Sequence, residues 1–120
     1  FVPTNQVIKS FSGTVPAGTG LTVAWSYTVP EGKRACVEVV QSECDTDADP
    51  DTYADIYISD GTNTVYLARS GQSGGISRGT HSISNPRITL LSGQTIEAVY
   101  RNASASDHFM LLKALITELE

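Results

Sequence analysis

An all-β fold, an antiparallel sandwich of about eight strands, is predicted by three observations. Apolar residues recur in short alternating runs from end to end, the period-2 pattern of strands with one buried face. Each run is cut by turn-forming residues, most clearly at Val29-Pro30-Glu31-Gly32-Lys33, Asp60-Gly61-Thr62-Asn63 and Leu91-Ser92-Gly93-Gln94. The long 3.6-residue periodicity of an amphipathic helix is missing, apart from one rival reading at residues 109–119. A jelly roll is the first architecture this rhythm implies, with an immunoglobulin-like sandwich second. At 120 residues and 40% apolar content the chain makes a single domain, residues 1–120.

The elements follow in order. Residues 6–15 form a first strand marked by Val7, Phe11 and Val15, closed by the turn Val15-Pro16-Ala17-Gly18-Thr19-Gly20. Residues 21–29 alternate, with Leu21, Val23, Trp25 and Tyr27 on one face and Thr22, Ala24, Ser26 and Thr28 on the other. Pro30-Glu31-Gly32 ends that strand, and the repeat of Val-Pro-x-Gly 14 residues after the first reads as two turns of one type. Residues 34–42 carry Cys36, Val37, Val39 and Val40 in a third strand, followed by an acidic loop at 43–52. Residues 53–59 and 64–69 pair as a hairpin through Asp60-Gly61-Thr62-Asn63, with Ile56 and Ile58 facing inward beside Val65 and Leu67. Residues 70–79, rich in Gly and Ser, read as a mobile loop. Residues 87–91 and 95–102 form a pair linked by Ser92-Gly93, and 107–119 close the chain.

The last segment is apolar on both sides. Phe109, Leu111 and Leu115 share one face, and Met110, Leu112, Ala114 and Ile116 the other. Leu, Met, Ala, Lys and Glu favour helix, but the short length and the β character of the rest favour strand. A strand buried on both faces in so small a sandwich predicts that one face meets another subunit. Phe109, Leu111, Leu112, Leu115 and Ile116 are the candidate interface.

Net charge is −5, distributed unevenly. Residues 35–68 hold eight carboxylates and no Lys or Arg, while the remainder holds eight basic and five acidic residues. The basic residues are scattered, which argues against nucleic acid as a partner, since phosphate binding needs clustered Lys and Arg. The charge asymmetry reads either as a solvated acidic loop or as a device orienting contacts between identical subunits. No run approaches the ~18 apolar residues of a membrane helix, so no membrane association is expected. No leader is recognisable, and Phe1 in place of an initiator Met reads as following a processing site or a boundary.

Asp45-Thr46-Asp47-Ala48-Asp49-Pro50-Asp51 is the strongest chemical signal. Alternate carboxylates at Asp45, Asp47, Asp49 and Asp51 suit a hard cation such as calcium, which takes oxygen ligands. The segment resembles D-x-D-x-D-G calcium loops, yet Pro50 stands where those have Gly and Ile56 where they have Glu. Calcium ligation and a solvated loop are the two readings. Cys36 and Cys44 lie eight apart across an expected strand end, which leaves a disulfide and a buried free thiol both open.

Gly71-Gln72-Ser73-Gly74-Gly75 matches the G-x-S-x-G esterase pattern, but that motif requires a strand-to-helix turn, and here the surroundings are β. His81 and His108 have no partner evident in sequence. With no acid–base pair, nucleophile constellation or metal triad, the chain is not expected to be an enzyme and has no candidate catalytic residue. Asn102-Ala103-Ser104 fits the glycosylation acceptor pattern. Of the aromatic residues Trp25, Tyr27, Tyr53, Tyr57, Tyr66 and Tyr100, Trp25 is expected in the core and Tyr57 and Tyr66 outside, where they suit a sugar platform.

Val29-Pro30-Glu31-Gly32-Lys33 and Leu90-Leu91-Ser92-Gly93-Gln94-Thr95-Ile96 resemble segments of the small jelly-roll accessory proteins of virus particles, the capsid-decoration and fibre-head modules. The second also resembles the hairpin of tumour-necrosis-factor-like trimeric heads. The resemblance implies self-assembly, commonly as a trimer, and attachment to a capsid lattice or a ligand; it supplies no catalytic residues. The expected function is a non-enzymatic structural or decoration module, located on a virion or outside the cell. The alternative is an extracellular calcium-dependent carbohydrate-binding or adhesion module.

Overall fold

The computed structural model describes residues 3–120. Those residues contain no helix and ten strands. They are β1 (Pro3–Val15), β2 (Thr19–Thr28), β3 (Arg34–Cys44), β4 (Thr52–Ser59), β5 (Thr64–Ser73), β6 (Ile76–Ser77), β7 (His81–Ser84), β8 (Ile88–Leu91), β9 (Thr95–Asn102) and β10 (His108–Leu119). Two antiparallel sheets face each other. The first runs β1-β10-β3, with β7 and β8 both on the far edge of β3; the second runs β2-β9-β4-β5-β6.

The pairing has a nested order. β1 pairs with β10, β2 with β9, β3 with β7 and β8, and β4 with β5. A long antiparallel ribbon folded at the β4–β5 turn gives this ladder, and rolling it sends successive rungs to opposite sheets. That is a jelly roll. β7 pairs with residues 40–43 and β8 with residues 34–37, so the two act as one strand interrupted at Pro86 and Arg87, the latter at φ 46°. With β7 and β8 merged and the two-residue β6 set aside, eight strands remain, as the sequence rhythm implies.

The two Val-Pro-x-Gly turns are alike in structure. Val15 and Val29 are buried, the N–H of Thr19 and of Lys33 donates to the Pro16 and Pro30 carbonyls, and Gly18 and Gly32 take φ of 73° and 78°. A positive φ at the third position makes both type II turns, which explains the Gly. Between the sheets lie Ile56, Ile96, Met110, Leu112 and Ile116, all fully buried, and the Trp25 indole N–H donates to the Leu112 carbonyl at 2.9 Å. Phe11 and Tyr100 stack across the sandwich, ring centroids 4.9 Å apart.

Three expectations need correcting. Leu21 and Val23 do not share the face of Trp25 and Tyr27. The pairing of β2 with β9 steps from Val23↔Val99 to Trp25↔Ala98, so Ala24 is an extra residue. That bulge flips the face: Leu21 and Val23 stand in solvent, while Trp25, Tyr27 and Val29 are buried. Residues 70–79 are not a mobile loop. β5 continues to Ser73, and β6 returns beside it, pairing Gln72 with Ser77. Ile58 and Leu67 pack on the core as expected, but Val65, one rung from the turn, is 56% exposed.

A buried carboxylate closes one end of the core. Glu118 accepts from the Tyr27 hydroxyl at 2.5 Å and from the Asn5 amide at 3.3 Å, with Lys33 at 3.7 Å. The Tyr27 hydrogen bond above all, then Asn5 and Lys33, holds its carboxyl below the usual range, against the opposing effect of burial. A lowered folded-state pKa means stability that is present above the ordinary value of 4.5 and lost as the pH falls through the folded value. Urea midpoints measured from neutral pH down through that range should fall less steeply for Tyr27→Phe than for the wild type. Identical slopes would show that this bond contributes nothing to the acid limb.

Candidate assembly surface

β10 lies in the middle of the first sheet, flanked by β1 and β3. The period of 2 turns Met110, Leu112, Ala114 and Ile116 inward and Phe109, Leu111, Lys113 and Leu115 outward. Leu112 and Ile116, read from sequence as interface residues, are therefore core, each fully buried. Phe109, Leu111 and Leu115 remain as the outward part of that set.

Neighbouring strands extend the outward apolar surface. Leu115 stands between Ile8 of β1 and Val39 of β3 in one row. The next row holds Ser10, Lys113, Gln41 and Ile83. The one after holds Ser12, Leu111, Glu43 and His81. Ile8 is 73% exposed, Ile83 65% and Phe109 38%. Ile8, Val39 and Leu115, with Gln41 and Lys113 beside them, line a groove of about 220 Å³. The N-terminal segment does not cap this face: from Pro3 onward it pairs edge-to-edge with β10 as part of the same sheet. Residues 1 and 2 lie outside the described residues.

The acidic loop is built differently from its sequence reading. Its carboxylates go to separate partners. Asp45 and Asp49 take the two ring nitrogens of His108, Nδ1 at 2.6 Å and Nε2 at 2.5 Å, and Asp45 also accepts the Phe109 N–H. Asp47 accepts from the Ser77 hydroxyl and Asp51 from the Gly74 N–H. Asp45, Asp47, Asp49 and Asp51 thus do not converge, and among the described residues no group of three or more His, Cys, Asp or Glu is placed to hold a metal ion. The loop is a strap that ties the start of β10 and the β5–β6 hairpin together. His108, which had no evident partner in sequence, is its centre.

The cysteines are both free. They lie on the same strand, β3, eight residues apart. At ~3.3 Å per residue that is about 26 Å, far beyond the roughly 4.4–6.8 Å between Cα atoms of a disulfide. Cys44 is a core residue, and burial pushes both thiols up. Asn102 is no surface acceptor for glycosylation. It is fully buried, its amide donates to the Val15 and Ser106 carbonyls at 2.9 Å, and its Oδ1 accepts from Thr52 and Ser104. The G-x-S-x-G segment is the β5–β6 hairpin, with Gly74 and Gly75 at positive φ in its turn. His81 pairs with Glu43 at 3.4 Å.

Of the aromatic residues, Trp25 and Tyr27 are buried and Tyr100 packs against the core. Tyr53, Tyr57 and Tyr66 stand on the outer face of the second sheet, with Asp55 and Arg69 between them across the β4–β5 ladder. Burial pushes the Asp55 carboxyl up, and its ion pair with Arg69 at 3.1 Å opposes that.

No family model matches the chain, nor does any curated protein. Solved structures that resemble it include the Drosophila NLP-core, described in terms of pentamer formation and histone binding. That likeness has 9% identity over 92% of this chain and 98% of the other, with a TM-score of 0.42. Two structures of a pentameric capsid protein isolated from metagenomic phage sequences are each 20% identical over 90% of this chain, with a TM-score of 0.41. The chain spans 66% and 59% of those two chains. Scores at this level decide neither function nor copy number.

Proposed function

We propose that this chain is a non-enzymatic assembly module that associates with copies of itself through the outer face of the β1-β10-β3 sheet, as a structural part of a virus particle. The observation that carries the reading is the uncovered row Ile8-Leu115-Val39 with Leu111, Phe109 and Ile83 around it. Fully burying such a side chain is worth about 1.5–3 kcal/mol. A second copy is the occupant argued for, because the face carries its own opposite charges. Lys113 and Glu43 lie one row apart among its apolar residues, so neighbouring copies that meet there can bring unlike charges together as the apolar side chains are buried. The virion setting and the capsid as attachment partner extend the resemblance of the turns to decoration modules, and the jelly-roll topology supports them. Three copies is the number that resemblance implies.

Leu111→Asp tests the surface, since it places a carboxylate among the outward apolar residues without touching the core. Light scattering on the eluting peak should find the wild type assembled and this variant monomeric, with an unchanged circular dichroism spectrum. A Leu111→Asp protein that assembles like the wild type would remove the outer face of β10 from the interface.

A further inference from the structure

The outer face of the second sheet holds a depression of about 290 Å³, near the lower end of the roughly 300–1,000 Å³ typical of small-molecule sites. Tyr57 and Tyr66, neighbours across the β4–β5 ladder, meet edge to face with centroids 5.6 Å apart, and Tyr66 is 47% exposed. The Arg69 guanidinium lies 3.9 Å over the Tyr66 ring, and its Nη2 donates to Asp55 Oδ2. Asp55 lines the depression yet is only 2% exposed, and its Oδ1 finds no hydrogen-bond partner among the described residues. Neither does Arg69 Nε. One ion pair thus keeps an acceptor and a donor unengaged beneath a tyrosine wall. Unpaired polar atoms at such depth are rare in folded proteins, and those that occur call for an explanation.

We propose that this depression binds the ring of a neutral saccharide. Adjacent hydroxyls of a sugar ring donate and accept at once, which suits an unengaged carboxylate oxygen beside an unengaged guanidinium N–H. The C–H face of the ring suits the faces of Tyr66 and Tyr57. The chemistry disfavours charged ligands. An anion would meet the Asp55 carboxylate, whose nearest cation, Arg69, is already paired with it. A cation would compete with Arg69, which already occupies the cation position over Tyr66 and pairs with Asp55. Both unengaged atoms are covered, so the ring enters as the Arg69 guanidinium lifts off the Tyr66 ring while its Nη2 keeps the bond to Asp55 Oδ2, which opens the aromatic face and leaves the two unengaged atoms side by side.

The probes are glucose, galactose, mannose and N-acetylglucosamine, titrated to millimolar concentration against the full chain while the tyrosine ring signals are followed by NMR. At least one should give saturable shifts at Tyr57 and Tyr66. Tyr66→Ala, a change at an exposed position whose folding circular dichroism confirms, should weaken binding about tenfold, or ~1.4 kcal/mol. Asp55→Asn should weaken it as well. No saturable shift with any of the four sugars overturns the proposal. So does binding unchanged in Tyr66→Ala, or shifts produced only by a lysine-rich peptide, which would make the depression a protein-docking site.

Discussion

Gly71→Ala should destabilise the protein by about 3–5 kcal/mol, the largest effect expected of any change that adds only a methyl group. Gly71 takes φ 92°, a region that side chains resist, and a Cβ there would sit 2.8 Å from Tyr53 Cα and closer still to the Thr52 carbonyl oxygen. Both obstacles are backbone, so neither can rotate away. The position is held from a third side, because the Gly71 N–H donates to the Gly79 carbonyl and its own carbonyl accepts from Arg78, each at 2.7 Å. Strain and clash therefore add. Urea denaturation of the purified variant checks this; a loss below about 1 kcal/mol would mean that the β4–β5 ladder shifts to accommodate the methyl group.

Leu112→Ala should cost about 2–5 kcal/mol, the range for deleting a buried leucine side chain. Leu112 is fully buried between the sheets, opposite Phe11 in the ladder, in a core that also holds Trp25 and Tyr27 from β2, Ile56 from β4, Ile96 from β9 and Met110 and Ile116 from β10 itself. The contrast with its neighbour is informative. Leu111→Asp should separate subunits and leave the fold intact, whereas Leu112→Ala should weaken the fold. If the two variants behaved alike, the inward and outward faces of β10 would be misassigned.

Most of the strand pattern was legible in the sequence, because its inward residues are apolar and recur at a period of 2. β4, with Ala54, Ile56 and Ile58, and β10, with Met110, Leu112, Ala114 and Ile116, are clear instances. β7 escaped because its inward residues are Ser82 and Ser84, and its single apolar residue, Ile83, points out. The face switch in β2 escaped because a bulge residue such as Ala24 has no compositional mark. Cys36 and Cys44 looked bridgeable only because the third strand was ended two residues early, at Ser42 rather than Cys44.

The site residues were less legible, for a reason of distance along the chain. The carboxylates of the acidic loop find partners 23 to 64 residues away, at Gly74, Ser77, His108 and Phe109, and nothing in the local D-x-D spacing encodes those partners. The assembly surface was half legible. Apolarity on both faces of β10 announced it, but only the register with β1 and β3 shows that Ile8 and Val39 complete the row around Leu115. The Asp55–Arg69 pair could have been found by following the hairpin register 14 residues across the turn, a step that requires the ladder to be placed first.

Sedimentation equilibrium of the wild-type chain at micromolar concentration tests self-association most directly. Assembly through the outer face of β1-β10-β3 predicts a mass at least twice 12.8 kDa. A single species at 12.8 kDa across the concentration range would contradict it.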